Sequence, residues 1–251
     1  MKPLFTSLLL IVGIILVACD KVDGTEKDSS PKEISFESAT YSFAAGERPY
    51  RRAEINLKGG VTPAVILYLH GGSAKGTDNV KQMEEPAIQC ISEYVRAKGI
   101  SAVFLVPQCP ETDSQGKMMD WVKMAKALEY LIGMEKKTAA AKVYVFGGSM
   151  GGTGTWNMLS TYPGLFTGAM ACAGNPKGCS AGSVAKTPVY AVMGSADKIM
   201  KPEDVNLQSF LDAVGAEGGE YRFDTETGWD HEKTCKESYT AERLDWVFSH
   251  K

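Results

Sequence analysis

Ser149 stands in Gly147-Gly148-Ser149-Met150-Gly151, a GxSxG run. A serine hydroxyl attacks well only when a base takes its proton and the chain turns tightly enough to expose it, and glycines two positions to either side allow that turn. The run follows residues 142–146 (KVYVF), a strand-like stretch, and precedes Thr153 to Thr161, which continues as helix. Strand, tight turn and helix together place the hydroxyl at a sheet edge and at a helix N-terminus, where unsatisfied N–H groups favour developing negative charge. Chance alone supplies roughly 0.2 such matches in a chain this rich in glycine. A second match exists, Gly178-Cys179-Ser180-Ala181-Gly182. It follows a turn-like Gly174-Asn175-Pro176-Lys177 rather than a strand, and Pro188 leaves little room for a helix after it, so Ser180 reads as a decoy.

Histidine is the side chain suited to accept that proton near neutral pH. The chain has three. After a strand–elbow–helix unit the order along the chain is Ser, then Asp or Glu, then His, which excludes His70. His250, next to the C-terminus, sits where helix ends fray. His231 remains, in Gly228-Trp229-Asp230-His231-Glu232, a loop after the late strand Tyr221 to Thr225. The acid that orients the imidazole belongs in a loop after a strand between the two. Val189 to Met193 is that strand and runs into Gly194-Ser195-Ala196-Asp197-Lys198, which favours Asp197. Glu203 and Asp204 compete, although they read as first-turn residues of the next helix. Acyl chemistry also needs two backbone donors aimed at an oxyanion. Met150, after the nucleophile, supplies one, and the loop His70-Gly71-Gly72-Ser73 supplies the other, with Gly72 preferred; His70 itself reads as structural.

These residues need a frame to hold them. From residue 64 onward, short β-branched and aromatic runs alternate with stretches of helical periodicity, which specifies an α/β fold: a mostly parallel sheet with helices on both faces. Ala64 to Leu69, Ala102 to Val106, Lys142 to Phe146 and Val189 to Met193 are continuous apolar or nearly apolar runs, as central strands covered on both sides require. Trp121, Met124, Leu128, Leu131 and Ile132 draw a helical stripe after a cap at Asp120, and Ile88, Ile91, Tyr94 and Val95 draw another before the terminator Gly99. Further helices are expected at 203–214 and 239–249. Residues 33–58 alternate enough for two or three antiparallel edge strands, with Pro49 in a turn. No internal repeat is present, and no insertion between strands is long enough for a large cap domain.

The length of 251 residues fits one such domain. A net charge of -3, without a run of Lys or Arg, excludes a nucleic-acid footprint. No pair of histidines has ligand spacing and the cysteines are scattered, so neither metal nor cofactor is expected. The first residues differ. Lys2, then an apolar stretch from Leu8 to Val17 and Ala18-Cys19, form an export signal too short for a comfortable membrane span. Leu16-Val17-Ala18-Cys19 resembles the bacterial lipoprotein signal, in which the cysteine is lipidated and becomes the new N-terminus. Residues 1–18 are therefore expected to be a signal peptide, 19–32 a polar tether and 33–251 the catalytic domain, held on the exported side of the cell envelope, periplasmic or surface, by a lipid on Cys19. Of the other cysteines, Cys90, Cys109, Cys172, Cys179 and Cys235, the pair Cys172 and Cys179 flank a turn and are spaced to close a small loop.

With these pieces assembled, residues 60 to 248 resemble a bacterial phospholipase/carboxylesterase-like family, the "predicted peptidase" hydrolases related to feruloyl esterases and polyhydroxybutyrate depolymerases. The resemblance is carried by LYLHGG at 67–72, VPQCP at 106–110, GGSMGGTGTW at 147–156, GSADKIM at 194–200, GWDHE at 228–232 and the closing segment 244–248 (LDWVF). It implies an α/β-hydrolase fold and a triad of Ser149, Asp197 and His231. It further implies cleavage of carboxylic esters, acyl groups on polysaccharides among them; a serine peptidase of the same fold and a non-catalytic binding lipoprotein are the alternatives. Gly148 departs from the family, whose members often carry a larger residue such as leucine there. Trp229, beside His231, and Trp121, with the Gln108 to Gln115 loop, are expected to line an open substrate groove. Replacing Cys19 by alanine should move the protein from the membrane to the soluble fraction on cell fractionation; an unchanged distribution would rule the lipid anchor out.

Overall fold

The computed structural model describes residues 34–44 and 46–250. Cys19, the leader and the tether lie outside them. Eight strands form one sheet: β1 (Glu37–Phe43), β2 (Gly46–Ile55), β3 (Ala64–Leu69), β4 (Ala102–Pro107), β5 (Val143–Gly148), β6 (Gly168–Cys172), β7 (Val189–Gly194) and β8 (Tyr221–Glu226). Their order across the sheet is β1-β2-β4-β3-β5-β6-β7-β8. The hairpin β1–β2 and the pair β2–β4 are antiparallel, and every pairing from β4 through β8 is parallel.

Every residue of β3, β4, β5, β6 and β7 is buried, which explains their apolar runs: each side chain, whichever way it points, meets a layer of helices. Val65, Leu67 and Leu69 of β3 belong to a core completed by α2 (Ala125–Glu135), α3 (Met150–Thr161), α4 (Ala181–Val184) and α6 (Leu207–Ala216). Ile66 and Tyr68 belong to the opposite core, completed by α1 (Pro86–Ala97) and α8 (Ala241–Ser249). Burying an aliphatic side chain such as Ile66 or Leu67 contributes about 1.5–3 kcal/mol, so the alternation along β3 secures both layers at once.

Several elements depart from the sequence expectations. Helix α2 starts at Ala125, and Asp120 caps a preceding turn, its Oδ1 accepting the Lys123 N–H at 2.9 Å. The expected helix at 203–214 is split into α5 (Pro202–Val205) and α6 by Asn206, which adopts φ 48°. Pro49 lies within β2, opposite Thr40, rather than in a turn; its carbonyl accepts the Gln108 N–H. Strand β6 (GAMAC) has no β-branched residue and gave no signal, and α7 (His231–Glu237) replaces what reads as a loop. Gly99, at φ 65°, does end α1, as expected. All five described cysteines are free, so Cys172 and Cys179 do not close a loop.

The edge hairpin is tied to the helical layer by one polar knot. Glu135, at the end of α2, accepts Nε of Arg52 with both carboxylate oxygens at 3.0 Å and the Tyr50 hydroxyl at 3.0 Å. Glu135 is 8% exposed, and removing one partner of a buried pair strands the other. Glu135→Ala should therefore lower stability by about 3 kcal/mol, read as a shift in the urea midpoint, and a double change with Arg52→Met should recover part of that loss.

Candidate active site

The chain turns from β5 into α3 at Ser149, which holds φ 58° and ψ -119°, a strained backbone for a residue with a side chain. The neighbouring glycines are required by contact. A Cβ on Gly147 would strike the Gly151 carbonyl, one on Gly151 the Leu69 carbonyl, and one on Gly152 the Cys172 carbonyl. Helix α3 thus starts almost in contact with the ends of β3 and β6. The turn is held by the Ser149 N–H, which donates to the Cys172 carbonyl at 3.0 Å, and by the Ser149 carbonyl, which accepts the Thr153 N–H at 3.0 Å.

Two further elements, distant in sequence, complete the series that begins at the serine hydroxyl. The loop after β7 delivers Asp197 and the N-terminus of α7 delivers His231. His231 Nε2 lies 2.7 Å from Ser149 Oγ, and His231 Nδ1 lies 2.7 Å from Asp197 Oδ2. The Asp197 side chain is fully buried, and its other oxygen accepts the Ile199 and Met200 N–H groups at 2.8 Å each. A carboxylate only accepts, so Nδ1 carries the imidazole proton and the Nε2 lone pair faces the hydroxyl. Asp230 caps α7 through its Oδ1 and the Lys233 N–H at 2.8 Å, which fixes where His231 begins the helix. Glu203 and Asp204 are exposed on α5, away from the imidazole's partners. Ser180 is taken up as the N-cap of α4, its hydroxyl accepting the Ser183 N–H.

The hydroxyl opens into a cleft of about 750 Å³ lined by Gly71, Gly72 and Ser73, by Glu85, and by Ile199 and Cys235 among others. Met150 is the first residue of α3, where backbone N–H groups have no intrahelical partner. His70 is buried and engaged on both nitrogens: Nδ1 bonds the Gly71 carbonyl at 2.6 Å, and Nε2 accepts the Cys109 N–H at 3.0 Å. Burial lowers its pKa to about 4, so it stays neutral.

Neither tryptophan expected in the groove lines it. Trp121 is fully buried between β3 and α3; its Nε1 donates to the His70 carbonyl at 2.8 Å, and a Cβ on Gly154 would press on its side chain. Trp229 packs beneath Lys233 at 5.2 Å and gives its carbonyl to the Ala196 N–H. Gln108, at the head of the loop paired with Trp121 in that expectation, is buried and bonds the Asn79 N–H and the Ala74 carbonyl. A large apolar side chain on the cleft wall is instead Ile199, 69% exposed, on the same loop as Asp197. Sequence reasoning also missed Glu85. An acid just before Pro86 at the head of a helix reads as a partner of the helix dipole, and nothing in its neighbourhood marks it otherwise. Among the described residues no group of three or more His, Cys, Asp or Glu side chains is placed to hold a metal ion.

The sequence matches no protein-family model and no curated protein. Solved structures do match. A thermostable esterase superposes with a TM-score of 0.72 at 21% identity, over 86% of this chain and 63% of its own. A feruloyl esterase module from Clostridium thermocellum, complexed with sinapinate, gives 0.64 at 13%, over 86% and 89%. An acylaminoacyl peptidase from Pyrococcus horikoshii gives 0.63 at 14%, over 87% and 41%. The chain thus spans less than two thirds of the esterase and less than half of the peptidase. The described residues have the α/β-hydrolase fold, with no cap domain evident.

Proposed function

We propose that this protein is a serine hydrolase that cleaves carboxylic esters through an acyl-enzyme. The observation that carries the reading is the unbroken hydrogen-bonded series from Ser149 Oγ through His231 to Asp197, 2.7 Å at each link, opening on a cleft. In this reading His231 Nε2 takes the hydroxyl proton as Ser149 Oγ attacks the ester carbonyl, and Asp197 stabilises the imidazolium without taking its proton. The N–H groups of Met150 and Gly72 hold the oxyanion. As the tetrahedral species collapses, the C–O bond to the alcohol breaks and His231 returns the proton to the leaving oxygen. Water then repeats the sequence, releasing the acid.

Ester rather than amide substrates are favoured because the match takes in 63% of the thermostable esterase and 89% of the feruloyl esterase module, against 41% of the acylaminoacyl peptidase. A cleft without a cap suits an acyl group carried on a bulky polymer such as an acylated polysaccharide, and Ile199 offers apolar contact for the acyl chain. A non-catalytic role is disfavoured because a binding protein has no need for a buried aspartate, a tautomer-fixed histidine and a strained serine in series. A lipid on Cys19 would hold the enzyme at the exported face of the envelope.

The purified chain should hydrolyse short-chain p-nitrophenyl esters, with kcat falling about 10⁶-fold in Ser149→Ala and about 10⁴-fold in Asp197→Asn. Equal turnover by wild type and Ser149→Ala would remove Ser149 from the mechanism; an inactive wild type would remove the esterase reading. Release of acetate or ferulate from acylated xylan, set beside peptide cleavage, then separates the two substrate classes.

A further inference from the structure

Glu85 is the N-terminal boundary residue of α1, yet its carboxyl makes no cap bond to that helix. It reaches across to β3 and the loop that follows. Oε2 accepts the Tyr68 hydroxyl at 2.5 Å and Oε1 accepts the Gly71 N–H at 2.6 Å. Tyr68 is fully buried, so its hydroxyl is a fixed anchor. Burial raises the pKa of the Glu85 carboxyl, against the two hydrogen bonds that favour its charged form; the fold thus tolerates a desolvated acid on the cleft wall. The location is close to the nucleophile: a Cβ built on Gly71 would lie 3.2 Å from Glu85 Oε1 and 3.7 Å from Ser149 Cβ, with only Gly71 between them.

The consequence follows from peptide geometry. In a trans peptide the C=O and N–H point to opposite sides, and no cis bond is present among the described residues. The plane joining His70 to Gly71 is gripped at both ends, its N–H by Glu85 and its carbonyl by Trp121 Nε1 at 2.8 Å. In the next plane the Gly71 carbonyl turns to the buried His70 Nδ1 at 2.6 Å. The Gly72 N–H is therefore directed to the other side, and Gly72 borders the cleft together with Ser149. Two successive glycines have wide rotational freedom, and these outside contacts restrict it beside the turn bonds from the Ala74 and Lys75 N–H groups to the Gly71 and Gly72 carbonyls.

We propose that Glu85 is the positioning residue of the oxyanion site, its Tyr68-anchored carboxylate holding the Gly71 N–H so that the next peptide presents the Gly72 N–H to the cleft. The proposal rests on the serine-esterase reading. Glu85 does not touch the reacting atoms; it acts through Gly71. What the role requires is an acceptor oxygen rather than a charge.

The test uses the full chain and p-nitrophenyl butyrate, with kcat and KM determined separately, alongside a propyl trifluoromethyl ketone. Ser149 Oγ adds to the ketone's carbonyl carbon as its own proton passes to His231 Nε2, and the C=O π pair moves onto oxygen, leaving an oxyanion in the same site. Glu85→Ala should lower kcat by about 10- to 100-fold, below the loss from deleting an oxyanion donor outright. KM should change little, and ketone affinity should fall by the same factor as kcat. Glu85→Gln, which keeps the acceptor, should restore most of both. Tyr68→Phe, which removes only the anchor, should give a smaller loss of kcat and stands in if Glu85→Ala does not fold. Unchanged kcat in Glu85→Ala, a loss confined to KM, or a glutamine variant as damaged as the alanine would each overturn the proposal. The Gly71 amide proton, read by NMR, should lie downfield in wild type and move upfield in Glu85→Ala. That resonance does not depend on turnover. An inactive wild type with the expected shift therefore defeats the esterase reading, and with it the catalytic part of this role, while an unshifted resonance defeats the Glu85 clamp itself.

Discussion

Everything in this molecule is arranged around the closeness with which the start of α3 passes the ends of β3 and β6. A side chain at Gly147, Gly151 or Gly152 would overlap backbone carbonyls. That approach obliges β3 and β5 to be neighbours, and they pair in register from Val65 with Val143 to Leu69 with Gly147. It also makes β3 and β5 the place where the connections reverse, since the chain leaves β3 for β4 on one side and returns to β5 on the other. Crevices in open α/β sheets form at such reversals, beyond the carboxyl ends of the strands. The strain at Ser149 is therefore supported by the two central strands of the sheet, every residue of which is buried.

The same strands explain what the sequence revealed and what it did not. Central strands are covered on both sides, so β3 could be read to the residue from AVILYL, and β7 nearly so. Strand β6 is equally buried but packs beneath α3 and α8, where small residues fit: a Cβ on Gly168 would meet the Val247 carbonyl at 2.8 Å. Its composition is dictated by neighbours that a local pattern does not contain. The strand–turn–helix setting of its GxSxG run singled out Ser149, chain order together with the fraying of the last helix left His231, and loop position favoured Asp197; the structure brings those three side chains together. The cleft walls were not legible. Trp121 and Trp229 looked like binding residues from their proximity in sequence to the loops, but one fills the core under α3 and the other presents its ring face to the Lys233 ammonium. Glu85 was silent because its partners lie 14 and 17 positions away on another element, a register that emerges only once α1 is packed on the sheet.

The three histidines show how environment divides one side chain among roles. His70 is desolvated and bonded at both nitrogens, which keeps it neutral and immobile within a loop of glycines. His250, at the end of α8, packs on Trp246 and lies 3.3 Å from Glu220 at the surface. His231 alone combines a buried carboxylate on one nitrogen with an accessible hydroxyl on the other. That division is structural before it is chemical: it follows from the partners that each histidine's place in the fold supplies.

Gly148 and Cys235 deserve to be considered as a single unit of volume. A Cβ on Gly148 would lie 3.3 Å from the Cys235 sulfur, and both residues border the cleft beside Ser149. The space beside the elbow at Gly148 is occupied from α7. The two positions are consequently not free to vary independently. A bulkier residue at 148 is compatible with the nucleophile's backbone only when 235 shrinks or α7 shifts, and α7 carries His231 on its first turn. A larger residue at 148 thus presses on position 235, an energetic link between the element that bears the serine and the element that bears the histidine.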